Sequence, residues 1–369
     1  MQNIVVTGAN GFIGKNLVVR LLALNQYNVI TATRNDNEDT LQQKLRDADI
    51  VFHLAGVNRP EDPDEYEKVN LIYTDSILKI LEKNKKPYRL IFTSSSQAAL
   101  DNPYGKSKLA AEKKLIGLTE YGDVSIFRLD GVFGKWCKPN YNSVVATFCH
   151  NAAHSLPITI HNEEHEIKLI YIDDVVSAFL QYPAKPIKPG NFSYETIKSA
   201  YSITLIKLAA LLQLFKESRN NLVLPDLGDD FTKRLYSTYL TYLPVNAFSY
   251  PLKINTDERG SLYELLKTER AGQIFISTTK PGITRGNHYH HLKTEKFIVI
   301  QGEGVIRLRK INGEDIIEYK VKGTEPTVVD IPPGYTHNIT NTGNTDMLTL
   351  FWANEIFNST QPDTHFLKV

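Results

Sequence analysis

The stretch that most limits what this chain can become is NIVVTGANGFIGKNLVVRLLAL, residues 3–24. A β-branched apolar run breaks at Gly8, Gly11 and Gly14 and resumes with the apolar spacing of a helix. Glycines here permit a tight turn, so that main-chain N–H groups around Asn10, Phe12 and Ile13 and the helix N-terminus approach a pyrophosphate. The last glycine lets the helix lie close to the sheet.

The first half of the chain keeps that rhythm. YNVITAT, DIVFHLAG, YRLIFTSSS and VSIFRLDGVFG read as strands, with YTDSILKILEK and SKLAAEKKLIGLT as helices between them. Such alternation predicts a parallel sheet covered on both faces. From about Pro183 the text is mixed, with helix candidates at ITLIKLAALLQLFKES and DDFTKRLYSTYL. Beyond Pro251, ISTTKPG, KFIVIQGEGVIRLRKING, DIIEYKVKG, TVVDIPPG and MLTLFWANE are short β runs punctuated by Gly, Pro and Asn-Gly, the pattern of a small sandwich or barrel. A chain of 369 residues with 42% hydrophobic side chains supports two cores. The expectation is an α/β, Rossmann-type doubly wound parallel sheet with a small substrate subdomain over residues 1–246, then an all-β domain over 252–369, joined through PVNAFSYPL.

Charge and cysteine content remove several function classes. A formal net charge of +1 supplies no field for nucleic acid or anionic membrane. Cys137 and Cys149 lack CxxC spacing, which argues against a disulfide scaffold or a cysteine zinc site. No apolar run approaches the roughly 20 residues that span a bilayer, so a soluble cytoplasmic protein is expected.

The second strand bears on the cofactor. Thr31, Ala32 and Thr33 stand where an acidic residue would bond an unphosphorylated ribose, and Arg34 follows. An arginine there pairs with a 2′-phosphate, so NADPH is favoured over NADH. Further on, Tyr104 and Lys108 are spaced to share one helix face, downstream of Ser94, Ser95 and Ser96. An ammonium beside the phenol would lower its pKa from about 10, and a serine hydroxyl would hold a carbonyl oxygen, as proton transfer accompanying hydride transfer requires.

These motifs resemble the extended short-chain dehydrogenase/reductase family, in its nucleotide-sugar branch, over roughly residues 1–245. GANGFIG is similar to its fingerprint, VFHLAG to the stretch that lines the cofactor, and YGKSK to its tyrosine-lysine motif. The resemblance implies catalytic Ser95, Tyr104 and Lys108, with Ser94 one register step away. It implies cofactor contacts from Gly8, Asn10, Gly11, Phe12, Ile13, Gly14, Arg34, Leu54, Ala55, Gly56, Tyr104 and Lys108. Asn70 matches an asparagine beside the cofactor, and YIDDV, residues 171–175, the segment before a substrate-domain helix. Between Gln97 and Leu100 the usual valine-tyrosine-glycine is absent and the link to Tyr104 is short.

The β-rich half carries its own constellation in GNHYHHLKTE, residues 286–295. His288 and His290, at i and i+2, point to one side of a strand, a following strand returns Glu295, and His337 stands before another. Three imidazoles and a carboxylate suit Zn²⁺, Fe²⁺, Mn²⁺ or Ni²⁺, with zinc the expected ion; His291 has the opposite parity. The spacing resembles both cupin motifs over residues 252–369, and DERGSLYELL and TRGNHYH resemble metal-free cupins that epimerise deoxy-sugar nucleotides. In those relatives the histidine at the position of His288 is a base; Lys296, Tyr335 and His291 are the other candidates near the motifs.

A reductase fused to such a cupin resembles the bifunctional enzymes of capsular-polysaccharide synthesis on the route to N-acetyl-L-fucosamine. This implies a UDP-linked 4-keto-6-deoxy-N-acetylhexosamine substrate, epimerised at carbon 3 and then reduced at carbon 4, in a homodimer. The alternatives are a reductase whose β domain only dimerises or senses ligand, and a non-enzymatic sensor. Retention of Ser95, Tyr104 and Lys108 disfavours the sensor, because binding alone does not need them.

Overall fold

The computed structural model describes residues 1–117, 120–197, 200–252, 255–257, 260–262, 272–355 and 360–369. The chain opens with β1 (Gln2–Thr7), α1 (Phe12–Leu24), β2 (Tyr27–Ala32), α2 (Glu38–Leu45) and β3 (Ile50–His53). A π-helical stretch (Tyr66–Ile72) runs into α3 (Tyr73–Lys83), followed by β4 (Tyr88–Ser95), α4 (Pro103–Gly117), β5 (Gly122–Leu129) and β6 (Gly131–Phe133). Next come α5 (Val144–Ala153), β7 (Glu166–Tyr171), α6 (Ile172–Phe179), β8 (Asn191–Glu195), β9 (Ala200–Thr204), α7 (Leu205–Asn221) and α8 (Asp230–Leu240).

One compact unit comprises residues 1–133, 140–143 and 167–202. Its sheet has the order β2-β1-β3-β4-β5-β8, and every neighbouring pair is parallel. Side chains alternate faces along a strand. Val5, Val51, Leu90, Phe92, Val124 and Ile126 therefore form one buried layer with Leu41 and Leu45 of α2, Ile77, Leu78 and Leu81 of α3, and Ala111 and Leu115 of α4. On the opposite face Phe52 and Phe127 meet Phe179 of α6, at ring-centroid distances of 5.8 and 5.0 Å. Burial on both faces is why these strands read as continuous apolar runs. Arg89 interrupts β4, and its charge is met by Asp123 at 2.6 Å and by the carbonyls of Tyr182, Lys185 and Pro186.

The strand order reverses between β1 and β3. From β1 the chain winds outward to β2, then crosses back to build β3, β4 and β5 on the other side. The crevice beyond the carboxyl ends of strands at such a reversal is where open α/β sheets bind ligands. The stretch VSIFRLDGVFG, read as one strand, breaks at Asp130 into β5 and β6, while α2 and α5 had no clear signal in the sequence.

The second unit comprises residues 134–139, 144–166 and 203–369. Its strands continue as β10 (Ser249–Pro251), β11 (Asn255–Asp257), β12 (Gly260–Leu262), β13 (Gln273–Thr279), β14 (Thr284–Tyr289), β15 (Glu295–Gln301) and β16 (Glu303–Lys310). They end with β17 (Ile316–Lys322), β18 (Thr327–Ile331), β19 (Tyr335–Asn341), β20 (Met347–Ala353) and β21 (His365–Phe366). Two five-stranded antiparallel sheets result, ordered β10-β18-β15-β20-β13 and β17-β16-β19-β14-β21. This is the jelly-roll type of all-β fold expected after residue 252. Of DERGSLYELL, the residues 258–259 and 263–266 lie outside the described residues.

Compaction groups α5, α7 and α8 with these sheets, whereas the expected division into 1–246 and 252–369 follows the order of the chain. The physical reason is a buried charge cluster. Asp330 on β18 accepts from Lys296 on β15 at 2.5 Å and from Arg219 on α7, while Tyr250 bonds Lys296 at 3.0 Å. Ser237 of α8 donates to the Leu292 carbonyl at 3.1 Å, and Lys233 pairs with Glu355 at 3.2 Å. Among the described residues no helix is long and apolar enough to cross a membrane.

Candidate active site and metal centre

The glycine turn and LAG, residues 54–56, occupy the same place. Gly8 has φ +65°, and a side chain there would put Cβ 2.7 Å from the Ala55 nitrogen and 2.8 Å from the Leu54 carbonyl carbon. Only glycine allows the end of β1 to press against the end of β3 in this way. The Gly11 N–H closes the turn on the Gly8 carbonyl at 2.8 Å, and α1 then starts at Phe12 with no acidic residue in its first turn. Its positive end is thus left for an anion. Arg34 lies exposed two residues beyond β2. The carboxylate that follows it, Asp36, is occupied by the Thr33 N–H at 2.8 Å and Lys44 at 2.7 Å.

Tyr104 and Lys108 sit on α4, as their spacing predicts. The Lys108 ammonium is buried, donates to the Thr93 carbonyl at 2.9 Å, and lies where a Cβ on Gly56 would be only 3.0 Å from it. Asn70, in the π-helical stretch, receives the Val57 N–H and donates to the Val57 carbonyl and to Ser107, each at 2.9 Å. It therefore clamps the segment after β3 to α4. The two serines separate clearly. Ser94 donates to Glu112 at 2.5 Å, and Glu112 is also held by Arg128 and Tyr194, whereas Ser95 accepts the Gln97 N–H at 3.2 Å and acts on the Tyr104 phenol, opposing the rise in its pKa.

Electrostatics differ from the expectation. Burial raises the Tyr104 phenol, as do Tyr66 and Tyr141, with Ser95 opposing. Burial brings Lys108 down to about 8, against the pull of Glu112. The predicted lowering of the phenol by the ammonium is thus overturned, because desolvation penalises tyrosinate more than the surroundings favour it. At neutral pH this side chain carries its proton.

In the β unit, His288, His290, Glu295 and His337 converge, with one ligand atom from each lying within 4.8 Å of the others. Three imidazoles come from one sheet or its rim and the carboxylate from the facing sheet. A β-bulge at Gly286 and Asn287, with φ +101° and +61°, shifts the register so that His288 stands opposite His337. A side chain at Gly286 would put Cβ 2.9 Å from the His337 carbonyl. His290 falls just past the end of β14, and His337 lies inside β19 rather than before a strand.

This donor set fits a divalent ion. The Nε2 atoms of His290 and His337 are buried without a hydrogen-bond partner, 3.2 and 3.3 Å from Glu295 Oε2. Burial and the neighbouring imidazoles push His288 down to about 3, and burial lowers His337. Burial alone would raise Glu295, yet the imidazoles hold it well below the usual carboxylate range. Imidazoles that resist protonation, as His288 and His337 do, beside an ionised carboxylate favour metal binding. Of the other candidate bases, Lys296 is locked to Asp330, burial pushes Tyr335 up to about 12, and His291 is packed on Tyr289 and His365 outside the cluster.

Residues 4–192 match the NAD dependent epimerase/dehydratase family. The chain belongs to that family. Residues 255–365 match the polysaccharide biosynthesis C-terminal domain. A similar curated protein is UDP-2-acetamido-2,6-beta-L-arabino-hexul-4-ose reductase of Pseudomonas aeruginosa, 44% identical over 100% of this chain and 99% of the relative. Among solved structures, the capsular polysaccharide assembling protein CapF of Staphylococcus aureus is 48% identical, with full coverage of both chains and a TM-score of 0.67. A second structure, CapF with the inhibitor 3-isopropenyl-tropolone, is 43% identical with full coverage of both chains and a TM-score of 0.61.

Within this epimerase/dehydratase member, two features beside the site escaped sequence reasoning. His53, fully buried, bridges Thr7 and Thr74 at 2.8 Å on either side, and burial together with Lys108 holds it near 3. It ties β1, β3 and α3 together behind the glycine turn. Glu112 takes the Ser94 hydroxyl, so that of the two serines it is Ser95 that acts on the phenol. A histidine within VFHLAG was a visible signal for the first, but nothing local marked the second.

Proposed function

We propose that the protein reduces the carbon 4 ketone of a UDP-2-acetamido-2,6-dideoxy-4-ketohexose with NADPH, after epimerisation at carbon 3 in its C-terminal domain, giving UDP-2-acetamido-2,6-dideoxy-L-talose. The carrying observation is the proton-bearing Tyr104 phenol, on which Ser95 acts, with the Lys108 ammonium on the same helix beside Gly56. The full-length relative named as a reductase of a UDP-linked hexul-4-ose supports the substrate class. The reading assigns reduction to residues 1–246 and epimerisation to 252–369.

NADPH supplies the hydride when bound. Gly8, Gly11 and the N-terminus of α1 would receive its pyrophosphate, with Asn10, Phe12, Ile13, Gly14, Leu54, Ala55 and Gly56 lining the turn, and Arg34 would serve a 2′-phosphate. Ser95 orients the carbonyl oxygen, and Tyr104 delivers the proton there. The phenol keeps its proton at neutral pH, as an acid in reduction must. The order of steps follows from the substrate: the carbon 3 proton is acidic only while carbon 4 is a carbonyl.

His288, His290, Glu295 and His337 would hold a divalent ion, most simply zinc, which would supply Lewis acidity for loss of the carbon 3 proton. One observation favours a second reading, in which the ion is structural. The four donors come from both sheets, so a zinc held by all of them would have its four ligands from protein and would tie the sheets together. For quaternary structure we propose a homodimer, because β13 ends its sheet with Ile274 and Ile276 51% and 56% exposed.

Incubation with 4-keto UDP-sugars and NADPH in deuterated water tests the whole reading. Oxidation of NADPH without deuterium at carbon 3 would leave a reductase with a scaffold domain. Two further results are expected. Arg34→Ala should weaken NADPH roughly tenfold to a hundredfold relative to NADH, the worth of one charge-assisted hydrogen bond. Equal weakening of both cofactors would assign Arg34 another task. The second concerns pH. Lys108 is charged below about 8 and neutral above it, so kcat/KM for NADPH should fall as pH rises through about 8. A profile flat to pH 10 would remove the ammonium from the mechanism.

A further inference from the structure

We propose that the C-terminal tail is an integral part of the metal centre, with Asp363 as the positioning residue that orients His290 toward the ion. The inference rests on the metal reading above and adds to it a partner far from the ligand motifs. His290 stands one residue beyond the end of β14, so the pairing of its own strand does not hold it. Its Nδ1–H is instead donated to the Asp363 carbonyl at 2.5 Å. With that proton committed, Nε2 carries the lone pair, and this atom is buried in the cluster without a hydrogen-bond partner. A main-chain carbonyl behind a metal-binding imidazole fixes both tautomer and ring orientation.

The Asp363 carboxylate acts on the following turn. It accepts from the N–H groups of His291 at 2.9 Å, Leu292 at 2.6 Å and Lys293 at 2.8 Å, a nest of amides around an anion. That turn leads directly into β15, whose first residue is Glu295. One residue therefore sets His290 through its carbonyl and the approach of Glu295 through its carboxylate. The tail is independently stitched down. Its strand β21 pairs with β14, the Leu367 N–H donates to the Asn287 carbonyl at 2.9 Å, Thr336 donates to the Leu367 carbonyl, and Arg309 donates to that of Lys368 at 2.8 Å. A tail that only covered a sheet edge would need the strand pairing, but not a carboxylate turned toward residues 291–293.

Cobalt binding to the full chain tests this, because Co²⁺ reports affinity through competition with a chromophoric chelator and geometry through its visible absorption. Asp363→Ala keeps the main-chain carbonyl but removes the carboxylate that pins residues 291–293 to the tail, so the carbonyl behind His290 and the approach of Glu295 are both released; the variant is expected to lose roughly tenfold to a hundredfold in affinity and to shift the absorption bands. Asp363→Asn keeps one acceptor oxygen and should fall between parent and alanine variant. A folded Asp363→Ala protein with the parent's affinity and spectrum overturns the proposal. If the alanine variant does not fold, the asparagine variant carries the same comparison, and parental binding by it overturns the proposal. A parent that takes up no cobalt overturns the metal reading and this inference with it.

Discussion

Replacing Tyr104 by phenylalanine is expected to lower the reduction rate by roughly 100-fold or more while the nicotinamide cofactor stays bound. On the proposed reading cofactor binding would rely on the glycine turn, the helix N-terminus and the segment behind Gly56, none of which involves the phenol oxygen. The oxygen is needed only when charge develops on the substrate carbonyl. Ser95 would remain to hold the ketone, but no acid would stand beside it. Steady-state turnover together with a cofactor titration separates the two effects. Activity within a factor of a few of the parent would sink the assignment, and loss of cofactor affinity in parallel with turnover would recast Tyr104 as a binding residue.

Metal analysis is expected to find about one divalent ion per chain, lost in His290→Ala and in His337→Ala because removing one of four donors destroys the geometry of the site. The consequence for chemistry is read at carbon 3. If the ion is catalytic, these variants stay folded, continue to reduce an already epimerised ketone at Tyr104, and no longer exchange the carbon 3 proton with solvent deuterium in the absence of NADPH. If the ion is a structural pin, the variants lose the β fold, and metal-stripped parent protein still exchanges the proton. The base would then be sought among residues that bear no metal. Lys296 is a poor choice, since Asp330 fixes its proton, and Tyr335 is held protonated by burial.

The helices α3 and α7 and the strands of both halves were legible because each follows from nearest neighbours in the chain. Apolar spacing decided YTDSILKILEK and ITLIKLAALLQLFKES, and alternation broken by Gly and Pro decided the β runs after Pro251. Motif spacing likewise named the glycine turn, Tyr104 with Lys108, which i+4 spacing brings to one side of a helix, and the cluster of His288, His290, Glu295 and His337, although His290 lies past the end of β14 and is not placed by strand alternation. The sequence could not choose between Ser94 and Ser95, since that choice depends on Glu112 reaching across from α4. It misjudged the Tyr104 phenol, because desolvation is a property of the packed site and not of a four-residue interval.

Other facts belong wholly to the tertiary structure. The bulge at Asn287 that sets His288 opposite His337 depends on how β14 pairs with β19. The grouping of α7 with the β-sheets depends on Arg219 and Lys296 sharing Asp330. The reach of Asp363 back to residues 290–293 joins parts of the chain that no local pattern relates. Periodicity along a chain records which side of its own element a residue occupies; which side chains from distant elements then meet is set by packing, burial and charge pairing, and those exist only once the chain has folded.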